Sequence, residues 1–135
     1  MKQEDKELLL KDLCARLPYH PFAYGKSGYA CNEGHIILVT SSGCAIMTVG
    51  GSHVHYFFNE IKLYLRPMSS MTEDERKEYN DIAKNTIDFY DCPKSEDVCF
   101  FIVLIDWLNA HHFDYRGLIE RGLAIKVTPD NNPYE

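Results

Sequence analysis

His35-Ile36-Ile37-Leu38-Val39-Thr40-Ser41-Ser42-Gly43-Cys44-Ala45-Ile46-Met47-Thr48-Val49-Gly50-Gly51-Ser52-His53-Val54-His55-Tyr56-Phe57-Phe58 decides the fold class. Three short, β-branched apolar runs (His35–Thr40, Cys44–Val49, His53–Phe58) are separated by Ser-Ser-Gly and Gly-Gly-Ser links. Glycine in such links supplies the positive φ of tight turns. Strands joined by links this short must be antiparallel. One step upstream, Ser27–Cys31 reads as a further strand, set off by Asn32-Glu33-Gly34. The region from Tyr19 to Phe58 holds six of the eight glycines and predicts about four strands, as a meander or a twisted half-barrel.

The flanks have a helical texture. From Gln3 to Leu17, Leu9, Leu10, Leu13, Cys14 and Leu17 recur at three- and four-residue spacing, and Pro18 ends the pattern. Asn59–Met71 reads as a connector. Thr72-Glu73-Asp74-Glu75 is a capping box, which predicts a helix from near Glu73 with Tyr79, Ile82, Ala83, Thr86, Ile87 and Tyr90 on one face, ended by Asp91-Cys92-Pro93. Ser95-Glu96-Asp97 predicts another helix start. Val98–Ile105 is apolar throughout and continues without a breaker, so a helix over Glu96–His112, the most buried element, is expected. Asp114 should cap a short helix through Arg121, with Gly122 as its C′ residue. Leu123, Ile125 and Val127 alternate as a strand would, and Thr128–Glu135 reads as a loose tail. The expectation is one α+β domain over residues 1–135: an N-terminal helix (1–18), a small antiparallel sheet with its connector (19–66), a helical half packed on it (67–127), and a tail (128–135).

Composition bounds the function. Hydrophobic residues make up 45% and charged residues 25%, ordinary for a soluble domain, and the net charge is −6. Lys and Arg are scattered, so the counterion-releasing face that nucleic acid requires is not apparent. The longest apolar run is too short to span a bilayer, so no membrane partner is expected. The acidic start and five cysteines without a C-x-x-C pair point to reduced thiols and a cytoplasmic location.

Three ordered blocks, Leu9-Leu10-Lys11-Asp12-Leu13-Cys14-Ala15-Arg16-Leu17-Pro18-Tyr19, Glu60-Ile61-Lys62-Leu63-Tyr64-Leu65-Arg66-Pro67-Met68-Ser69-Ser70-Met71-Thr72 and Asp106-Trp107-Leu108-Asn109-Ala110-His111-His112-Phe113-Asp114-Tyr115-Arg116-Gly117-Leu118-Ile119, are followed by Gly122-Leu123-Ala124. Together they resemble a family of small uncharacterised proteins encoded in gut-bacterial genomes, prophages and phages. The resemblance implies a mobile-element or phage accessory context. It implies no substrate, cofactor or catalytic residue.

Several constellations could carry chemistry. His111, His112, Asp114 and Arg116 are crowded, yet adjacent helical histidines point about 100° apart and the i, i+4 spacing of a two-histidine metal site is absent. Each also has an ordinary role: His111 and His112 against the helix dipole, Asp114 as a cap, Arg116 paired with Asp106 or Asp114, and Gly117 for close approach. His53 and His55 share one face of a strand, and His35 could add a third metal ligand, but nothing in the sequence fixes that third ligand. No metal or other cofactor is assigned. Cys92, before Pro93, has the most exposed setting of the cysteines but no histidine paired with it. Tyr29, Tyr56 and Phe58 are candidates for an exposed aromatic partner surface. The leading expectation is therefore a non-enzymatic interaction module that binds another protein. A metal-assisted hydrolase using the sheet histidines and a nucleic-acid-binding accessory are the alternatives.

Overall fold

The computed structural model describes residues 1–28, 30–87 and 98–135. The elements run α1 (Gln3–Arg16), β1 (Phe22–Ser27), β2 (Ala30–Val39), β3 (Gly43–Met47), β4 (His53–Phe57), β5 (Ile61–Leu65), α2 (Glu73–Ile87), α3 (Val98–Ala110) and β6 (Ala124–Lys126). The architecture is α+β, as expected. Among the described residues the sheet has six strands rather than about four, in the order β4-β3-β2-β1-β5-β6.

Two expected boundaries move. The segment Ser27–Cys31 is not a strand of its own; it straddles the link between β1 and β2, where Gly28 takes φ 55°. β1 lies earlier, pairing antiparallel with both β2 and β5. The expected connector contains β5, whose Ile61, Leu63 and Leu65 point inward while Lys62 is exposed. β6 then lies parallel to β5. A parallel neighbour needs a crossover, and the segment carrying α2 and α3 is that crossover. The helical half is thus inserted between two adjacent strands.

The sheet curls over its own inner face. Leu9 and Leu13 of α1 pack there with Ala23, Ile36, Ile46, Tyr56, Phe58, Leu63 and Leu118. Tyr56 lies against Gly25, where a β-carbon would come within 2.7 Å of the ring, and its hydroxyl accepts from Asn32 Nδ2 at 2.6 Å. Any side chain at position 25 would push the ring out of the core.

Leu9 and Leu13 of α1 are buried as expected, but the buried face is shifted towards Asp12 and Arg16. Cys14, expected on the buried stripe, is exposed, while Leu9, Asp12, Leu13 and Arg16 are buried. The buried face includes an ion pair, and that pair explains the rotation described below. The α2 capping box forms as expected: Glu75 N–H donates to Thr72 Oγ1 at 3.2 Å, and Thr72 N–H to the Glu75 carboxylate at 3.0 Å. The expected end of this helix at Asp91-Cys92-Pro93, Tyr90 of its stripe, and the start at Ser95-Glu96-Asp97 lie outside the described residues.

α3 is a helix, but it is not the most buried element. Ile102, Val103 and Ile105 are 53%, 49% and 37% exposed. Its other side meets α2, where Trp107 Nε1–H donates to the Glu78 carboxylate at 2.9 Å and the Trp107 ring lies 6.0 Å from Tyr79. An apolar run gives no periodicity, so its length distinguishes helix from strand but does not show which side is covered. After α3, residues 114–123 form turns, not the expected short helix. The tail is docked rather than loose: the Tyr134 hydroxyl donates to the Tyr64 carbonyl at 2.7 Å and accepts from Phe22 N–H at 3.0 Å.

Candidate functional site at the His111–Arg116 corner

The corner begins where α3 ends. His112 N–H donates to the Asn109 carbonyl at 3.1 Å and Phe113 N–H to the Leu108 carbonyl at 3.0 Å. This paired pattern is the Schellman ending of a helix, and its C′ residue must be left-handed. Here that residue is His112, at φ 61°. Glycine fills this position at no steric cost, so a histidine there points to a side chain with a use. Its ring stacks on Tyr134 with centroids 3.5 Å apart and planes 7° from parallel. Burial, helped by the nearby Arg16 and Arg66 charges, pushes its imidazolium down to about 4. At neutral pH His112 is an uncharged stacking partner. His111 behaves as the dipole argument expects: its Nδ1 lies 2.8 Å from the Trp107 carbonyl, and an Nδ1–H there satisfies a helix-end acceptor.

Beyond the helix, the chain runs along the end of β5. Arg66 N–H donates to the His112 carbonyl and Asp114 N–H to the Arg66 carbonyl, each at 2.8 Å. The Arg66 guanidinium grips Glu75 through two bonds of 2.6 and 2.8 Å and lies 4.2 Å from the centroid of Phe113. That fork, with the Thr72 N–H, holds the Glu75 carboxyl down to about 2. One side chain thereby joins β5, the start of α2 and the corner.

Asp114 caps as expected, though it caps a turn. Its two oxygens accept from Leu118 N–H at 2.9 Å and Ile119 N–H at 3.0 Å. Gly122, at φ 74°, closes that turn in the C′ manner. Gly117 sits at φ 76°, and a β-carbon there would meet nothing within 4 Å. Its backbone conformation therefore requires glycine, and close packing, the expected reason, does not. Asp114→Ala should cost about 1–2 kcal/mol, the upper part of the capping range because two backbone donors lose their acceptor. Urea denaturation of the variant checks this, and the same stability as wild type would remove the cap from the account.

Arg116 pairs with neither Asp106 nor Asp114. Its Nε lies 3.4 Å from Asp12 Oδ1 on α1. Asp12 and Arg16, both fully buried, form the centre of the corner. Arg16 Nε donates to Asp12 at 2.7 Å and Nη2 to the Phe113 carbonyl at 2.6 Å. The Tyr115 ring has Arg16 at 5.0 Å and Arg116 at 5.2 Å from its centroid, and its hydroxyl donates to buried Asn109 at 2.8 Å. Burial raises the Asp12 carboxyl despite the opposing pull of Arg16 and Arg116. The pair explains the rotation of α1: Asp12 and Arg16 must face inward to reach residues 113–116.

A cleft of about 610 Å³ opens beside the corner, lined among others by Arg66, Glu75, His111, His112, Asn132 and Tyr134. Arg66 and Glu75 hold each other, His111 is tied to the α3 backbone, and His112 lies against Tyr134. The arrangement locks three elements together.

The other candidate residues are not gathered here. His35, on β2, packs edge-on to Phe22 and its Nδ1 is 2.9 Å from the His20 carbonyl. It is two strands away from His53 and His55 on β4. Among the described residues, no group of three or more His, Cys, Asp or Glu side chains could hold a metal ion. Tyr56 and Phe58, candidates for an exposed aromatic surface, are core residues at 3% exposure each. The alternation of β4 turns Tyr56 inward and leaves Phe57 outside at 63%. Tyr29 lies outside the described residues. The residues that sequence reasoning misses are Asp12, Arg16, Arg66 and Tyr134. Only the four-residue spacing of Asp12 and Arg16 is a local signal. No protein-family model, curated protein or solved structure matches the chain.

Proposed function

We propose that the chain is a non-enzymatic module that binds another protein through the outer flank of α3. The observation that carries this reading is the exposure of Ile102, Val103 and Ile105 within Val98–Ile105, a run with no charged or amide side chain. Single exposed apolar residues are ordinary, but three clustered on one helix flank mark an interaction surface. Helices of this kind supply anchor residues to grooves in partners. The polar cluster of the corner supports the same reading, because its ionisable groups are engaged in joining α1, β5 and α2. Nucleic acid fits less well: four of the five arginines, Arg16, Arg66, Arg116 and Arg121, are paired with carboxylates. The resemblance to phage and prophage proteins directs the search for the partner to a bacterial host.

The test has two stages. Capture from a host-type bacterial extract identifies a candidate, and titration calorimetry with the purified candidate follows. The Ile102→Asp/Val103→Asp variant should bind at least tenfold more weakly while its circular dichroism shows the fold retained, since these are the two most exposed of the three side chains. A purified partner that binds the variant as tightly as wild type would defeat the assignment of α3.

A further inference from the structure

The open edge of the sheet carries an independent feature. β4 is an edge strand, and it pairs with β3 so that Met47 lies opposite His53 and Ala45 opposite His55. Thr48 N–H donates to the Ser52 carbonyl at 2.8 Å, and Phe58 N–H to the Ser42 carbonyl at 3.2 Å. In an antiparallel ladder, residues bonded to the neighbour alternate with residues whose backbone groups face away. The even-numbered residues of β4 therefore bond to β3, and His53, His55 and Phe57 turn their backbone groups to the open edge. Phe57 conforms, since its N–H is taken by the Glu60 carboxylate at 2.9 Å. The open groups that remain belong chiefly to His53 and His55. Both imidazoles are exposed, and two-residue spacing puts them on one face of the strand.

Edge strands of monomers are commonly guarded by lysine, proline or a bulge. β4, His-Val-His-Tyr-Phe, has no lysine or proline, and its register is regular. The opposite edge differs: β6 is three residues long, and Asn131 Nδ2–H donates to the Lys126 carbonyl at 3.2 Å. Within one chain the two imidazoles fall short of the three or four ligands that a zinc-type ion takes. A second copy supplies the rest.

We propose that two copies of the chain pair antiparallel through β4, about a two-fold axis at Val54, around a zinc-type cation held by His53 and His55 of both copies. In this register His53 lies opposite the second copy's His55, so every open group of one edge meets its complement. Centring the axis on His55 instead would place His53 opposite Phe57, whose N–H is already engaged by Glu60. Residues two apart on a strand are separated by about 6.8 Å, and hydrogen-bonded cross-strand neighbours by about 5.5 Å. The four histidines then stand at the corners of a rectangle on one face, each about 4.4 Å from its centre, half the diagonal. That spacing lets four ring nitrogens converge above the sheet on a tetrahedral ion. A pairing of so few residues falls well below the roughly 1,200 Å² of a stable interface, so the association depends on the metal. This surface is separate from the α3 flank, and the inference does not rest on the proposed function.

Sedimentation velocity of the full chain in zinc chloride or in EDTA at neutral pH tests the proposal. Zinc should double the 15.6 kDa mass, with one zinc per two chains, and EDTA should restore the monomer. The His53→Asn/His55→Asn variant should stay monomeric in zinc and melt with wild type in EDTA. Oxidation of a Val54→Cys variant in zinc should cross-link position 54 to itself between copies, as read by peptide mass mapping. Three results would overturn the proposal: a monomer at saturating zinc, a zinc-dependent dimer that survives loss of both histidines, or a zinc dimer without the cross-link at position 54.

Discussion

Arg16→Ala should lower stability by about 3–5 kcal/mol, the range for breaking a buried ion pair from one side. The fully buried Asp12 carboxyl, already raised by burial, would be left with only Arg116, at 3.4 Å, beside it. The Phe113 carbonyl would lose its 2.6 Å donor as well. Substituting both partners by apolar residues of similar shape, Asp12→Leu with Arg16→Met, should recover part of the loss, because no fully buried charge is then stranded, although Arg116 loses its carboxylate and the Phe113 carbonyl its donor. Arg121→Ala serves as the control. Its bond to Asp5 is of ordinary length, 3.0 Å, but Arg121 is half exposed, and solvent-screened pairs contribute about 0–1 kcal/mol. Urea denaturation of the four proteins separates the cases. An Arg16→Ala loss no larger than that of Arg121→Ala would show that the corner is not built on this pair.

The contrast between Arg16 and Arg121 also marks the limit of what a sequence discloses. Local chemistry is legible. The Thr72–Glu75 box, the Asp114 cap, the Gly122 turn ending and the helix-end role of His111 all depend on residues within five positions of one another. The turn glycines place β3 and β4 for the same reason. Non-local chemistry is not legible. The charge on Arg16 matters because residues 113 and 115 arrive 97 and 99 positions later (113 − 16 and 115 − 16). Leucines at the right spacing on α1 suggest a purely apolar stripe, and only this distant corner turns Asp12 and Arg16 inward. β5 reads as a connector because Ile61, Leu63 and Leu65 gain their value from partners on both sides, β1 and β6. Tyr56 and Phe58 pass for surface residues because aromatic content does not disclose which face of a curled sheet is concave. Prolines and asparagines make the tail look loose, yet one residue in it, Tyr134, reaches two strands.

That tyrosine leads to the second large effect. Tyr134→Ala should cost about 2–3 kcal/mol at neutral pH, below the full range for a core aromatic because the ring is only partly buried. Tyr134→Phe, which removes only the hydroxyl, should cost about 1–3 kcal/mol by leaving Phe22 N–H without its acceptor. The alanine variant should also change the response to acid, through His112. The groups acting on that imidazole are Arg16, Arg66, His111 and His35, all disfavouring its protonation, and burial is the largest cause. Its folded value of about 4 lies below the ordinary 6.5, so the unfolded chain takes up a proton first. The stabilisation is therefore complete above pH 6.5 and is lost as pH falls from 6.5 towards 4, with no further loss below. Allowing for partial solvent screening of a half-buried ring, the wild-type loss from this group is about 2 kcal/mol. Glu75 weakens the fold only at lower pH, as its carboxyl protonates between 4.5 and about 2. Removing the Tyr134 ring opens His112 to water and returns its value towards 6.5. Stability measured from pH 7 to pH 4 should then fall steeply in wild type and in Tyr134→Phe, and more gently in Tyr134→Ala. Equal slopes in all three would show that the tyrosine ring does not keep water from His112.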